Sequence, residues 1–76
     1  MPYEVLIVDD EADIRTSLSG VLEDEGYVVR TASSGQECLD KISAKQPDMV
    51  LLDIWMEGMD GLETLSRLKR RAPELP

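Results

Sequence analysis

The sequence lacks histidine and contains little cysteine, aromatic residue or positive charge. Without histidine there is no imidazole base or imidazole metal ligand, and the single cysteine, Cys38, excludes an internal disulfide and a cysteine-rich zinc site. Sixteen acidic residues against eight basic ones give a formal charge of −8, which disfavours nucleic-acid binding and suits cations or basic partners. No apolar run approaches the roughly 20 residues of a membrane span, and no signal-peptide core follows Met1. We therefore expect a cytoplasmic protein that contacts neither membrane nor nucleic acid directly.

Short apolar runs alternate with helical patterns along the 76 residues. Strands are predicted over 4–8, 27–32 and 48–53. Each is followed by a predicted helix: 12–25, the segment between the loop at 33–35 and Pro47, and the segment from Leu62 to Pro73. Strands and helices that alternate in this way predict right-handed crossovers and a parallel α/β sheet covered on both faces.

The apolar positions of each helix predict which side faces the core. In the first helix these positions are spaced i, i+4, i+7 and i+8, and we expect two of them, Leu18 and Leu22, to be buried. The inner faces of the other helices are predicted to be Cys38, Leu39 and Ile42, and Leu62, Leu65 and Leu68. Cys38 is interpreted as a small core residue, and Lys69, Arg70 and Arg71 as favourable cations at a helix C-terminus.

Carboxylates stand at the ends of two predicted strands. Asp9 and Asp10 follow the first strand, and Asp53 ends the third. Ligands of open α/β sheets bind beyond the carboxyl ends of the strands, and a strand order of 2-1-3 would bring these three side chains together there. Carboxylates so close repel one another, and a hard cation such as Mg²⁺ removes that penalty. Each aspartate alone also has a structural interpretation, since Asp10 could simply cap the helix that begins near Ala12.

Two segments carry a family resemblance. LIVDDE after the first strand and LLDIWMEGMDG after the third resemble the receiver domain of two-component response regulators, the CheY-like domain. The family segment Asp-x-x-Met-Pro-x-Met-Asp-Gly is matched by residues 53–61, with Glu57 in place of the proline. The sequence of the second segment is also similar to that of the receiver domains of nitrogen-regulation-type transcription factors. The resemblance implies a flavodoxin-like parallel sheet in which the strand order is indeed 2-1-3.

The resemblance also implies a role for individual residues. Asp53 would be the phosphoacceptor and a metal ligand, Asp10 a direct Mg²⁺ ligand, and Asp9 a supporting acid that acts mainly through water. Trp55 would offer its main-chain carbonyl to the metal. The phosphoryl donor would be a sensor histidine kinase or a small acyl phosphate. Such a domain is a signalling module, with at most self-catalysed phosphotransfer and autodephosphorylation as its enzymatic activity.

The partner surfaces follow from the same resemblance. Exposed residues of the first helix, such as Arg15 and Ser19, are expected to determine kinase specificity. Residues 1–76 correspond to the amino-terminal part of a receiver domain, without the family's strands four and five, its switch hydroxyl or its lysine. An apolar strand edge at 49–54 without a neighbour is a template for pairing, so we expect self-association through that edge or by exchange of elements.

Two further interpretations remain open at this stage. The chain could be an isolated half-domain whose property is assembly without phosphotransfer. It could instead be a phosphatase of the haloacid-dehalogenase type, which also uses a strand-end aspartate with Mg²⁺. That family has Asp-x-Asp-x-Thr after its first strand, a pattern that residues 9–13 do not match cleanly.

Overall fold

Three parallel strands alternate with three helices in the computed structural model, which describes residues 3–53 and 61–71. The strand order is β2-β1-β3, so the predicted flavodoxin-like topology is confirmed. No helix among these residues combines the length and the apolar character needed to cross a membrane. The elements are β1 Glu4–Val8, α1 Ala12–Asp24, β2 Val28–Ala32, α2 Gly35–Ala44, β3 Met49–Leu52 and α3 Gly61–Arg71.

Strand β1 is the centre of this sheet and supplies its most buried residues. It pairs with β2 through Val8↔Ala32 and with β3 through Val8↔Leu52. Residues Val5, Leu6, Ile7 and Val8 are all buried, as expected for a parallel strand covered on both faces. The alternation along the strand assigns Leu6 and Val8 to the side covered by α2 and α3.

The principal core lies between the sheet and the helices α2 and α3. Cys38 is fully buried there, and burial raises the pKa of its thiol to about 11, so the interpretation of Cys38 as a core residue is confirmed. A thiol so protected stays protonated and unreactive at neutral pH. The cluster consists of Leu6, Val8, Ala32, Cys38, Leu39, Ile42 and Leu68, with Val50 and Leu52 packed against it.

The predicted inner faces of α1 and α3 are partly wrong. No residue of α1 is buried: Leu18 is exposed and Leu22 is only half-buried. In α3 the packed residues are Thr64 and Leu68, whereas Leu62 and Leu65 are exposed. A helical apolar stripe identifies an amphipathic helix, but the neighbouring elements decide which part of the stripe is covered.

A shifted capping box begins helix α2. The hydroxyl of Ser34 accepts a hydrogen bond from the Glu37 N–H at 3.1 Å, and the Glu37 carboxylate accepts from the N–H and the hydroxyl of Ser33. The backbone hydrogen bond from Ser33 is the main reason why the pKa of Glu37 is lowered. Partial desolvation opposes this shift, and the Ser33 hydroxyl and the charges of Lys41 and Arg15 add to it.

The other end of α2 is held to the amino ends of the strands by Arg30. Its guanidinium donates to the carbonyls of Lys41 at 3.3 Å and Lys45 at 2.5 Å, where the helix ends. The Nε atom of Arg30 also forms an ion pair with Glu4 at 3.0 Å, and Lys45 Nζ lies 3.3 Å from the same carboxylate. This cluster joins β1, β2 and α2 at the end of the sheet opposite the aspartates.

A buried hydroxyl on α3 gives a first prediction. Thr64 is fully buried, and among the described residues its Oγ1 has no hydrogen-bond partner. Thr64→Val keeps the shape and removes the unpaired hydroxyl, so we expect the free energy of unfolding to rise by about 1 kcal/mol in urea denaturation. Thr64→Ser is the control, because it keeps the hydroxyl, loses the methyl group and should lower stability. A less stable valine variant would contradict this account of the packing.

The capping box gives a pH-dependent prediction. The folded-state pKa of Glu37 is lowered, so its contribution to stability is complete above the ordinary value of 4.5 and is lost as the pH falls through the lower folded value. We expect Glu37→Gln to destabilise the protein at neutral pH and the difference from the parent chain to shrink in acid, measured by urea denaturation at several pH values. Ser33→Ala, which keeps the dominant backbone bond, should retain most of this pH dependence. A difference that does not change with pH would refute the charge effect.

Candidate functional site

The carboxyl ends of the strands bring the sequence-predicted aspartates to one edge of the sheet. Asp9 and Asp53 directly follow the paired residues Val8 and Leu52. The N–H of Asp53 donates to the carbonyl of Val8 at 3.0 Å, and the N–H of Asp9 donates to the carbonyl of Ala32 at 3.1 Å. The hydrogen-bonding pattern of the sheet therefore continues into both acidic residues and fixes their backbones.

Asp9, Asp10 and Asp53 form one acidic cluster. Each offers a carboxylate oxygen, and these oxygens all lie within 4.8 Å of one another. Asp9 is buried at 8% exposure, Asp53 is half-buried and Asp10 is exposed. The predicted convergence of the three carboxylates is present in the fold. Trp55, which was predicted to offer its main-chain carbonyl to the metal, lies outside the described residues, as does Glu57.

The turn into α1 is made by Asp9 and not by Asp10. Its Oδ1 atom accepts a hydrogen bond from the Glu11 N–H at 2.9 Å, an aspartate turn of the kind that often precedes a helix. Glu11 itself occupies the N-cap position and makes no side-chain cap bond. The interpretation of Asp10 as the helix cap is therefore wrong, and its carboxylate is a member of the acidic cluster instead.

Arg15 contributes to the site through a contact that was not predicted from the sequence. Its Nη1 atom donates to the main-chain carbonyl of Asp9 at 2.8 Å, which joins the first turn of α1 to the end of β1. The expectation that Arg15 and Ser19 are exposed is wrong, because both are half-buried; they line a groove along α1. A cation one helical turn after an acidic strand end was the available signal, because such a side chain can reach back over the turn.

The cluster has the composition of a hard-cation site. At 4.8 Å or less, two carboxylates repel by roughly 1 to 3 kcal/mol for effective dielectric constants between those of water and a protein surface. All three donors in this cluster are carboxylate oxygens, and none is a nitrogen or sulfur ligand of the kind zinc prefers. Oxygen donors with room for water ligands suit Mg²⁺, so the residues fit the ion that the sequence predicted.

Comparison with known proteins decides the family. A model of the response regulator receiver domain matches residues 5–76, nearly the whole chain. The chain belongs to the response regulator receiver family. This result confirms the resemblance carried by LIVDDE and LLDIWMEGMDG, and it favours the receiver interpretation over the haloacid-dehalogenase one.

Individual receiver proteins agree with this assignment. The nitrogen assimilation regulatory protein NtrX of Azorhizobium caulinodans is 49% identical over the whole chain, which spans 17% of that protein. Sporulation initiation phosphotransferase F of Bacillus subtilis is 45% identical over 91% of the chain and 56% of its own length. The structure of response regulator TrrA from Thermotoga maritima, in complex with Mg²⁺-BeF, has a TM-score of 0.92 and 38% identity over 96% of this chain and 64% of that one.

The receiver family fixes the broad function. Receiver domains belong to two-component systems and carry phosphorelay signals, and they are generally signalling modules rather than classical enzymes. One relative is the DNA-binding transcriptional regulator NtrC of Klebsiella pneumoniae, and NtrX is a nitrogen assimilation regulatory protein, which agrees with the resemblance to nitrogen-regulation-type proteins. The chain spans about a sixth of the length of NtrX and just over half of the length of sporulation initiation phosphotransferase F. The activities and partners of these longer proteins are therefore not assigned to it.

The repulsion within the acidic cluster gives a prediction for cation binding. Asp53→Asn removes one charge of the cluster, so without divalent cations we expect the free energy of unfolding to rise by about 1 to 2 kcal/mol. Magnesium should stabilise the parent chain, and this gain should be much smaller in Asp53→Asn and Asp10→Asn. The measurement is urea denaturation with magnesium chloride or with sodium chloride of equal ionic strength.

Asp40→Asn is the matched control for these variants. Asp40 is exposed on α2, where its carboxylate accepts a hydrogen bond from Gln36, and it lies outside the acidic cluster. This variant should keep the full magnesium response of the parent chain. Equal magnesium responses in all four proteins would show that the cation does not bind at the cluster.

Proposed function

We propose that residues 1–76 are the amino-terminal part of a receiver domain that accepts a phosphoryl group on Asp53 during phosphorelay signalling. The observation that carries this proposal is the position of Asp53, at the end of β3 and within 4.8 Å of the carboxylates of Asp9 and Asp10. Family membership supplies the reaction class, and this geometry supplies the acceptor.

Asp53 acts as the nucleophile. One of its carboxylate oxygens attacks the phosphorus of a phosphohistidine or of a small acyl phosphate, and a new P–O bond forms. The bond from phosphorus to the donor breaks, and the donor leaves as an imidazole, which takes a proton from water, or as a carboxylate. The chain has no histidine, so the imidazole belongs to the partner.

The acidic cluster would hold the Mg²⁺ ion. Asp10 and Asp53 would be direct ligands, Asp9 would act mainly through a water molecule, and the main-chain carbonyl of Trp55 would complete the protein ligands. When bound, the ion offsets the negative charge shared by the carboxylates and the phosphoryl oxygens. The Mg²⁺-BeF complex of the TrrA relative supports this choice of ion.

A sensor histidine kinase in the cytoplasm is the proposed phosphoryl donor. The kinase would contact α1 beside the site, where Arg15 and Ser19 line a groove. Arg15 also donates to the carbonyl of Asp9, so a kinase that contacts Arg15 would contact a side chain bonded to a residue of the acidic cluster. The net charge of −8 argues that this segment does not bind nucleic acid itself. Catalysis would be limited to self-catalysed phosphotransfer and autodephosphorylation.

A second copy of the chain is the other proposed partner. In the described sheet β3 has a neighbour on one side only, and Leu51 on that strand is exposed. An apolar strand edge of this kind favours association, either by strand pairing or by exchange of elements. If phosphotransfer proves absent, such assembly is the alternative function of the chain.

Phosphotransfer is tested with acetyl phosphate and magnesium, followed by intact-mass measurement. We expect an adduct of about 80 Da on the parent chain, lost on treatment with hydroxylamine as an acyl phosphate should be. Asp53→Asn should abolish the adduct, because it removes the nucleophile. Asp10→Asn should slow its formation without moving the acceptor, because Asp10 serves as a metal ligand only.

Asp40→Asn again serves as the control and should react like the parent chain. An adduct that persists in Asp53→Asn would place the acceptor elsewhere. If the parent chain binds magnesium but forms no adduct, phosphotransfer by this segment is refuted. Cation binding and self-association would then be the remaining properties of the chain.

A further inference from the structure

Three hydrogen bonds enclose Asp10 where β1 turns into α1. The Oδ1 atom of Asp9 accepts from the N–H of Glu11 at 2.9 Å, and the carbonyl of Glu11 accepts from the N–H of Arg15 at 3.1 Å. The side chain of Arg15 then returns to the end of the strand, where its Nη1 atom donates to the carbonyl of Asp9 at 2.8 Å. Asp9, Glu11 and Arg15 therefore form a closed ring of hydrogen bonds, and Asp10 is the residue between the first two.

The bond from Arg15 acts on the peptide unit that joins Asp9 to Asp10. The carbonyl of Asp9 and the N–H of Asp10 belong to one planar group. A donor that holds the carbonyl oxygen therefore also holds the plane of this group and the position of the Asp10 Cα atom. The donor here is a guanidinium, which stays charged at every physiological pH and makes a stronger hydrogen bond than a neutral group.

Asp10 depends on this support more than its neighbours in the acidic cluster do. Its side chain is exposed, and within residues 3–53 and 61–71 it makes no hydrogen bond or ion pair. Its carboxylate nevertheless lies within 4.8 Å of those of Asp9 and Asp53. The backbone at Asp10 therefore determines where this carboxylate starts from, and rotation of the side chain supplies the remaining adjustment to a cation.

The guanidinium of Arg15 is restrained by its surroundings. Arg15 is half-buried and lines the groove along α1 together with Thr31 of β2. It is also attracted to Glu37 at the start of α2: the backbone hydrogen bond from Ser33 is the main cause of the lowered pKa of Glu37, and the charge of Arg15 adds a smaller contribution. A side chain that is already restrained loses little further entropy when it binds the carbonyl of Asp9.

We propose that Arg15 is a positioning residue for the divalent cation, because it holds the peptide unit from which Asp10 presents its carboxylate beside Asp53. This inference rests on the magnesium site proposed above and adds a residue that does not touch the ion. The charge of Arg15 alone would have the opposite effect, since a positive group near a cation site repels the cation. Its hydrogen bond and its charge thus predict changes of opposite sign when Arg15 is replaced.

The experiment compares Arg15→Met and Arg15→Lys with the parent chain of 76 residues, and magnesium binding is measured by isothermal titration calorimetry. Methionine keeps much of the aliphatic stem but has neither the charge nor a donor, whereas lysine keeps both. We expect Arg15→Met to raise the dissociation constant for Mg²⁺ by about tenfold, the usual effect of losing a group that orients a metal ligand. Arg15→Lys should bind Mg²⁺ more tightly than Arg15→Met.

A second measurement needs no metal. The N–H of Asp10 belongs to the peptide unit that Arg15 holds, so its signal in proton–nitrogen correlation NMR should move in metal-free Arg15→Met. The signals of the core strand residues Leu6 and Leu52 should stay in place, which also shows that the variant is folded. A loss of magnesium binding without a change at the Asp10 amide would overturn the inference, because the loss would then not act through this peptide unit.

Arg67→Met is the matched control, because it makes the same substitution at an exposed position of α3, where Arg67 forms an ion pair with Glu63 at 3.0 Å. It should bind Mg²⁺ like the parent chain and leave the Asp10 amide unmoved. Arg15→Met that binds as tightly as the parent, or Arg15→Lys that binds no better than Arg15→Met, would refute the positioning role and leave the magnesium site in place. A parent chain that does not bind Mg²⁺ would overturn the site and this inference together.

Discussion

The register between β1 and β3 is the constraint on which the site depends. Val8 pairs with Leu52, so the next residue of each strand, Asp9 and Asp53, emerges at the same edge. A shift of one residue would turn Leu52 away from the core and carry Asp53 to the other face of the sheet, because strand side chains alternate with a period of two. The burial of Val8 against Leu52 in the core therefore also determines where the acidic cluster forms.

Asp9 and Asp10 are held in place to different degrees. The N–H of Asp9 donates to the carbonyl of Ala32. Its own carbonyl accepts from Arg15, and its carboxylate accepts from the N–H of Glu11. Asp10, one residue later, is exposed. A carboxylate fixed by the turn sets the position of the site, while an exposed neighbour retains freedom to adjust to a ligand. This difference suits the proposed roles, in which Asp9 acts mainly through water and Asp10 coordinates directly.

Strand ends were easier to predict from the sequence than helix faces. Asp9 and Asp53 could be brought together from the alternation of elements and the family order alone, because parallel strands all deliver their carboxyl ends to one edge. The covered side of α3 could not be predicted in this way, because Leu62, Leu65 and Leu68 form an apolar stripe in the sequence. The position of the neighbouring helix α2 determines that Thr64 and Leu68 are the packed residues. Likewise, the sequence could not show that Arg15 turns back to Asp9, because that contact depends on the turn between β1 and α1.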